Sequence, residues 1–177
     1  MAIPPWKVPA DVNNLAQAVK AKHHPHLETA SIGVVFDDSK PFKNDQLNWG
    51  KTQKFSDLNK LFQIPHSYDF CIVLSSDVWH DVLDASQKEA LLDLHLSRCA
   101  VEYVPETVTV NGKKNVIKDD YGRVKYTKEM KFDDSGNPKW KVNSLSISVF
   151  SQNVRRYGLW CEEFTELSEA VQKVSEE

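Results

Sequence analysis

The segment Ser86-Gln-Lys-Glu89 constrains this chain more than any other stretch. A Ser at a helix N-cap accepts from the backbone N–H three residues on, and a Glu at that third position reaches back to the N-cap N–H, so two orphan donors are satisfied together. A helix is therefore predicted over residues 87–99, and the rest of the fold must be arranged around it. Upstream, residues 10–22 read as an amphipathic helix, with Val12, Leu15, Ala16 and Val19 recurring at three- and four-residue steps, and His23-His24-Pro25-His26 ends it. Residues 31–36, 47–55 and 69–74 read as strands, the first rich in β-branched side chains.

Downstream the period changes. Val108, Val110, Val116, Val124 and Tyr126 alternate along residues 102–140, and turn signals interrupt them at Asn111-Gly112, Tyr121-Gly122 and Ser135-Gly136. This is a β-meander or a set of paired hairpins, inserted at about residues 102–141. Two helices close the chain, over 147–157 and 162–174, with Gly158 placed to cap the first through a left-handed backbone. The expected fold is α+β: one domain over residues 1–177, in which a small mixed or antiparallel sheet packs on the central helix, with the hairpin insertion and two C-terminal helices. No internal repeat and no low-complexity linker is expected.

Of the 177 residues, 41% are hydrophobic, enough for a single core. The net charge of −3 gives no global reason to bind nucleic acid or an anionic membrane. No apolar run approaches the length of about 20 residues that spans a bilayer, and the first residues lack a secretory pattern, so a cytoplasmic protein without a membrane partner is expected. Cys71, Cys99 and Cys161 form no Cys-x-x-Cys pair and are expected to be buried reduced thiols. Residues 111–141 carry nine Lys and Arg against five Asp and Glu. Lys113, Lys114, Arg123 and Lys125 are the candidate contacts there. Lysines on exposed strands are ordinary protection against edge pairing, and the competing use is a surface for nucleic acid or an acidic partner.

Taken alone, the residues offer no Gly-rich phosphate loop, no nucleophile elbow and no H-E-x-x-H. The loop histidines His23, His24 and His26 are expected to cap or solvate a helix end, and His66 and His80 to be structural. Trp79 and Trp160 fit core anchors. Arg155 and Arg156 offer an anion-reading pair; the plainer use of Arg155 is pairing with Glu162 and Glu163.

Three separated blocks add a further reading. They are His24-Pro-His-Leu27 through Ile32-Gly-Val-Val-Phe36 to residues 50–61; Tyr68-Asp-Phe-Cys-Ile-Val-Leu74 through Val78-Trp79 to residues 87–93; and Phe150-Ser-Gln-Asn-Val-Arg-Arg-Tyr-Gly-Leu-Trp160. In order and spacing they resemble the phage metallopeptidase family, zincin-like enzymes of the H-E-x-x-H type. The resemblance implies a helix reading Ala-Leu-x-Asp-His-Glu-Leu-x-His, where histidines four apart share one face and hold zinc while the Glu acts as general base. A third ligand is implied shortly before the next helix. Placed through Ala90-Leu-Leu-Asp93, those positions fall on Leu94, His95, Arg98 and, downstream, Leu145. Every implied site residue is replaced, so no zinc cofactor and no catalytic residue is expected. The chain then reads as a phage-encoded pseudo-metallopeptidase that binds a protein of the host, such as a defence factor. The alternatives are a nucleic-acid-binding module using the hairpins of 111–141, and a metal-dependent hydrolase with a site rebuilt on His95 and Cys99, which are four apart.

Overall fold

The computed structural model describes residues 6–37, 42–43, 46–47, 49–56, 68–134, 136–144, 147–161, 165 and 168. Its contacts divide the chain into two compact units, one made of Met1–Cys99 with Val142–Glu177 and the other of Ala100–Lys141. Among the described residues no helix is long and apolar enough to cross a membrane.

The first unit holds β1 (Trp6–Lys7), α1 (Ala10–His23), β2 (Ile32–Asp37), β3 (Phe42–Lys43), β4 (Gln46–Leu47), β5 (Lys51–Lys54), β6 (Phe70–Ser75), α2 (Ala85–Leu96) and α3 (Ile147–Tyr157). Strand β6, Phe-Cys-Ile-Val-Leu-Ser, is buried at all six positions, as an unbroken apolar run requires when both faces of a strand are covered. It runs parallel to β2, from Ile32 opposite Phe70 to Asp37 opposite Ser75. Antiparallel β5 lines its other side, and β1 lies antiparallel to β2. The resulting order β1-β2-β6-β5 is a small mixed sheet, as the sequence predicts.

The strand expected over 47–55 does not run through. Gly50 sits at φ +106°, and a Cβ there would strike the carbonyl of Val73. Only glycine fits so close an approach, and the strand that pairs with β6 begins one residue later.

Helix α1 packs on α2, and α2 on α3, which puts α2 in the centre of an α+β unit. Its start corrects the expectation of a Ser86 cap. The N-cap is Asp84, whose carboxylate accepts from the Gln87 N–H at 2.8 Å while the Gln87 side chain accepts from the Asp84 N–H at 2.9 Å. The same capping chemistry therefore operates two residues earlier, and Gln87 also donates to the Trp160 carbonyl at 2.8 Å. The end is corrected too: α2 stops at Leu96, and Cys99 opens β7 (Cys99–Val101), paired with β12 (Trp140–Val142). Helix α3 has its predicted bounds, and Gly158 follows it at φ +74° with its N–H on the Val154 carbonyl. Of the helix expected over 162–174, Thr165 and Ser168 are described and helical, and the remainder lies outside the described residues.

The second unit is built from backbone pairing. Its strands are β8 (Tyr103–Pro105), β9 (Thr107–Val110), β10 (Lys113–Val116) and β11 (Tyr126–Met130), with the inner parts of β7 and β12. Val101 and Trp140 are its only buried residues among those described. At each of the three predicted turns the glycine takes a positive φ. Asn111 and Gly112 both take positive φ, 51° and 75°, as a two-residue hairpin turn matched to strand twist requires; Gly122 and Gly136 lie at 77° and 81°.

The last two turns reveal an internal repeat, contrary to expectation. In residues 117–125 and 131–139 the Asp119 and Asp133 N–H groups donate to the Arg123 and Asn137 carbonyls, and their carboxylates accept from the Arg123 and Asn137 N–H groups. At each root three backbone bonds close a ring. Ile117 donates to Glu106, Glu106 to Lys125 and Lys125 to Ile117; likewise Lys131 donates to Glu102, Glu102 to Lys139 and Lys139 to Lys131.

Candidate functional site

Helix α2 carries Asp93, Leu94 and His95 into the interior, with 0%, 6% and 3% exposure. A carboxylate at 0% must be compensated by hydrogen bonds and charge. His24 Nε2 lies 2.9 Å from Asp93 Oδ1, Asn153 Nδ2 donates to Oδ2 at 2.8 Å, and the Arg156 guanidinium donates to Oδ1. Asn153 extends the network by donating to the Ala90 carbonyl, while its own oxygen accepts from the Trp160 indole at 2.6 Å. Burial pushes the Asp93 carboxyl up. The hydrogen bonds from His24 and Asn153, with the Coulombic pull of His24 and Arg156, outweigh it and hold the group below the ordinary carboxylate range. One buried anion thus ties the ends of α1 and α3 to the last turn of α2.

The same turn of α2 carries His95. Its Nδ1 lies 3.0 Å from Thr52 Oγ1 and its Nε2 3.2 Å from the Trp49 carbonyl, and the Thr52 hydroxyl also reaches the His95 carbonyl. An acceptor carbonyl at Nε2 requires the proton there, which leaves Nδ1 to accept from the threonine. Burial lowers the imidazole pKa to about 4, against the raising effect of its bond to Trp49, with Arg98 adding to the fall. His95 is a neutral, doubly bonded strut between α2 and the β5 edge. Gly50 matters here, because its backbone presents the Trp49 carbonyl, and the Trp49 ring meets that of Trp160 edge-on at 5.3 Å.

Arg98 donates through Nε to the Asn143 carbonyl at 3.3 Å. Cys99, expected on the same helix face as His95, lies in β7, and its thiol donates to the His95 carbonyl at 3.7 Å. Burial pushes that thiol up to about 12, against the pull of Arg98. Imidazole and thiol each have other partners.

The four family positions can now be tested against a zinc ion. Leu94 has no donor atom, both His95 nitrogens are engaged, Arg98 brings a fixed positive charge, and Leu145 lies outside the described residues. A zinc site needs deprotonated N, S or O donors converging in a tetrahedron. Leu94, His95 and Arg98 do not fit one. Among the described residues no group of three or more His, Cys, Asp or Glu is placed to hold a metal ion.

The other candidate residues divide by location. Arg156 is taken up by Asp93 and is not a free anion reader, whereas Arg155 is exposed; its expected partners Glu162 and Glu163 lie outside the described residues. Lys113, Lys114, Arg123 and Lys125 are all exposed in the second unit, with Arg123 bonded to Asp119 at 2.8 Å and stacked over the Tyr121 ring. The histidine cluster does more than cap or solvate. His24 is buried on Asp93, His26 bonds the Cys99 carbonyl at 3.2 Å, and His23 packs edge-on against Tyr157. His80 is exposed and leans on Phe36, and His66 lies outside the described residues. Trp79 and Trp160 are buried as expected, but Cys161, unlike Cys71 and Cys99, is only half-buried.

Sequence reasoning missed Asp93 and Asn153. The signal was present for the first, because an Asp inside Ala90-Leu-Leu-Asp-Leu-His-Leu96 is a charge in an apolar run and demands partners.

Comparison with curated proteins and with solved structures returned no match. The family comparison did: a model described as "putative phage metallopeptidase" matches residues 5–175. With nearly the whole chain matched, this protein belongs to the phage metallopeptidase family.

Proposed function

We propose that this chain is a pseudo-metallopeptidase, a family member that keeps the scaffold and acts by binding a protein of the bacterial host, such as a defence factor. One observation carries the reading: His95, where the family pattern calls for the general base, is a buried strut with both nitrogens bonded, flanked by Leu94 and Arg98 where ligands are called for. A hydrolytic water needs a metal or a base to activate it, and this stretch of α2 supplies neither. The buried Asp93 network beside it holds α1 and α3 to α2.

Two measurements test this. Elemental analysis of the protein purified without chelators is expected to give well under one zinc per chain, and calorimetric titration with zinc no stoichiometric binding. About one zinc per chain, lost in His95→Ala or Cys99→Ala, would overturn the reading in favour of a rebuilt hydrolase. Affinity capture from a host lysate with the full chain, read by mass spectrometry, is expected to recover one host protein at stoichiometric yield.

A further inference from the structure

The Ala100–Lys141 unit contains a segment that the family reading does not use. Strands β9 and β10 pair only with each other, from Thr107 opposite Val116 to Val110 opposite Lys113. All eight of their residues are exposed. A two-stranded ribbon open on both faces buries too little to be stable by itself, and three β-branched valines, Val108, Val110 and Val116, stand 45–48% exposed on it. Something of matching shape and charge would complete it.

Charge selects the partner. Residues 107–118 contain no carboxylate, and carry Lys113, Lys114 and Lys118. Glu106 and Asp119 bound the segment, and Asp119 is bonded to Arg123. Among the described residues, none of the three lysines is in an ion pair. The register distributes them. Lys113 shares one face with Val108, Val110 and Asn115, and Lys114 shares the other with Thr107, Thr109 and Val116. Each face thus has one cation, methyl groups, and a hydroxyl or amide able to hydrogen-bond.

We infer that this ribbon is a nucleic-acid contact that inserts into the major groove of duplex DNA. The groove, about 12 Å wide, admits a two-stranded ribbon. The face bearing Asn115, Val108 and Val110 would lie on the base edges, its amide bonding a base and its methyls meeting thymine methyls, while the long side chains of Lys113 and Lys114 reach the phosphates of the flanking strands. The chain as a whole carries −3, so attraction to DNA has to come from a local basic surface such as this arm. The inference is independent of the pseudo-peptidase reading, since no residue of α2 takes part.

The experiment is fluorescence anisotropy of the full chain with a labelled duplex of about 20 base pairs, starting at about 50 mM salt. Micromolar binding is expected, weakening as salt rises, with the single strand of the same sequence binding several-fold less tightly. K113E/K114E should lose at least about tenfold in affinity, and K113Q/K114Q should lose less while lowering the salt slope by about two. Lys22→Glu, at an exposed position near the end of α1, should change affinity less than about twofold. Circular dichroism of each variant should match the parent, because the substituted side chains are solvent-exposed. The inference is overturned by no binding at about 100 μM protein, by an unchanged affinity in K113E/K114E, or by equal or tighter binding of the single strand. Lysine-dependent binding of poly-glutamate without binding of the duplex would overturn it as well, and would point to an acidic protein partner.

Discussion

The surroundings of α2 and the hairpins of 100–141 keep their shape by opposite means. Around α2, side chains decide the geometry: Asp93 and His95 each collect partners from distant segments, and Ala90 to Leu96 are buried without exception. In the hairpins, the backbone decides it through the two rings of three hydrogen bonds and the positive-φ turns, while only Val101 and Trp140 are buried among the described residues. A buried polar network is costly to break because each orphaned group stays desolvated. A solvent-facing side chain can change at little cost. The first region has therefore lost the freedom to alter Asp93, whereas the second can vary its surface and keep its fold.

The sharpest way to break that contrast is to remove the hub. Asp93→Ala leaves His24, Asn153 and Arg156 without their common acceptor, and should cost about 3–5 kcal/mol, the range for stripping one partner from a buried ion pair. Urea unfolding followed by tryptophan fluorescence measures it. Lys128→Ala, on exposed β11, should stay within about 0.5 kcal/mol. Equal losses in the two variants would dissolve the distinction.

Next in size is the response to acid, which belongs to His95. Its folded pKa, about 4, lies below the ordinary 6.5, so the unfolded chain takes up the proton first. The stability this neutral strut contributes is complete above about pH 6.5 and falls as the pH drops toward 4, by about 3 kcal/mol across that window. His26, lowered mainly by burial, acts in the same direction. Asp93, whose carboxyl is held below the usual carboxylate value, adds its own loss only at the acid end of the window, where the unfolded chain begins to take up that proton while the folded chain does not. Thermal melts from pH 7 to pH 4 should show the fall, and His95→Gln should start less stable but have a shallower slope. An identical slope in the variant would remove His95 from the account.

The two regions also differ in how far the sequence foretells them. The hairpin turns are local: Asn111-Gly112, Tyr121-Gly122 and Ser135-Gly136 announce themselves because positive φ selects glycine over a few residues. The repeat is also visible in the sequence, as Asp-Asp-x-Gly at 119–122 and 133–136, but its two branches share little besides the turn, so alternation of apolar residues hides it. The existence of α2 is legible as well. Its exact start is not, because Asp84-to-Gln87 and Ser86-to-Glu89 are both capping patterns and only the packing of Gln87 against Trp160 separates them. The Asp93 network is the least legible part. His24 and Asn153 stand 69 and 60 residues away in the chain, and nothing local says that they meet.

The smallest expected effect tests the backbone side of the contrast. Gly112 sits at φ 75° with open space around it, so an added methyl meets no neighbour and the only penalty is conformational. Gly112→Ala should cost about 1–2 kcal/mol, the cost of a left-handed L-residue. Because β9 and β10 pair only with each other, that cost falls on their own ladder. Amide exchange within Lys113–Val116 should quicken by about five- to thirtyfold, as the ladder opens more often. Gly112→Asn, whose side chain tolerates positive φ, should recover most of the protection. If alanine and asparagine quicken exchange equally, the turn is held by something other than backbone conformation, and the hairpins are not the backbone-built region described above.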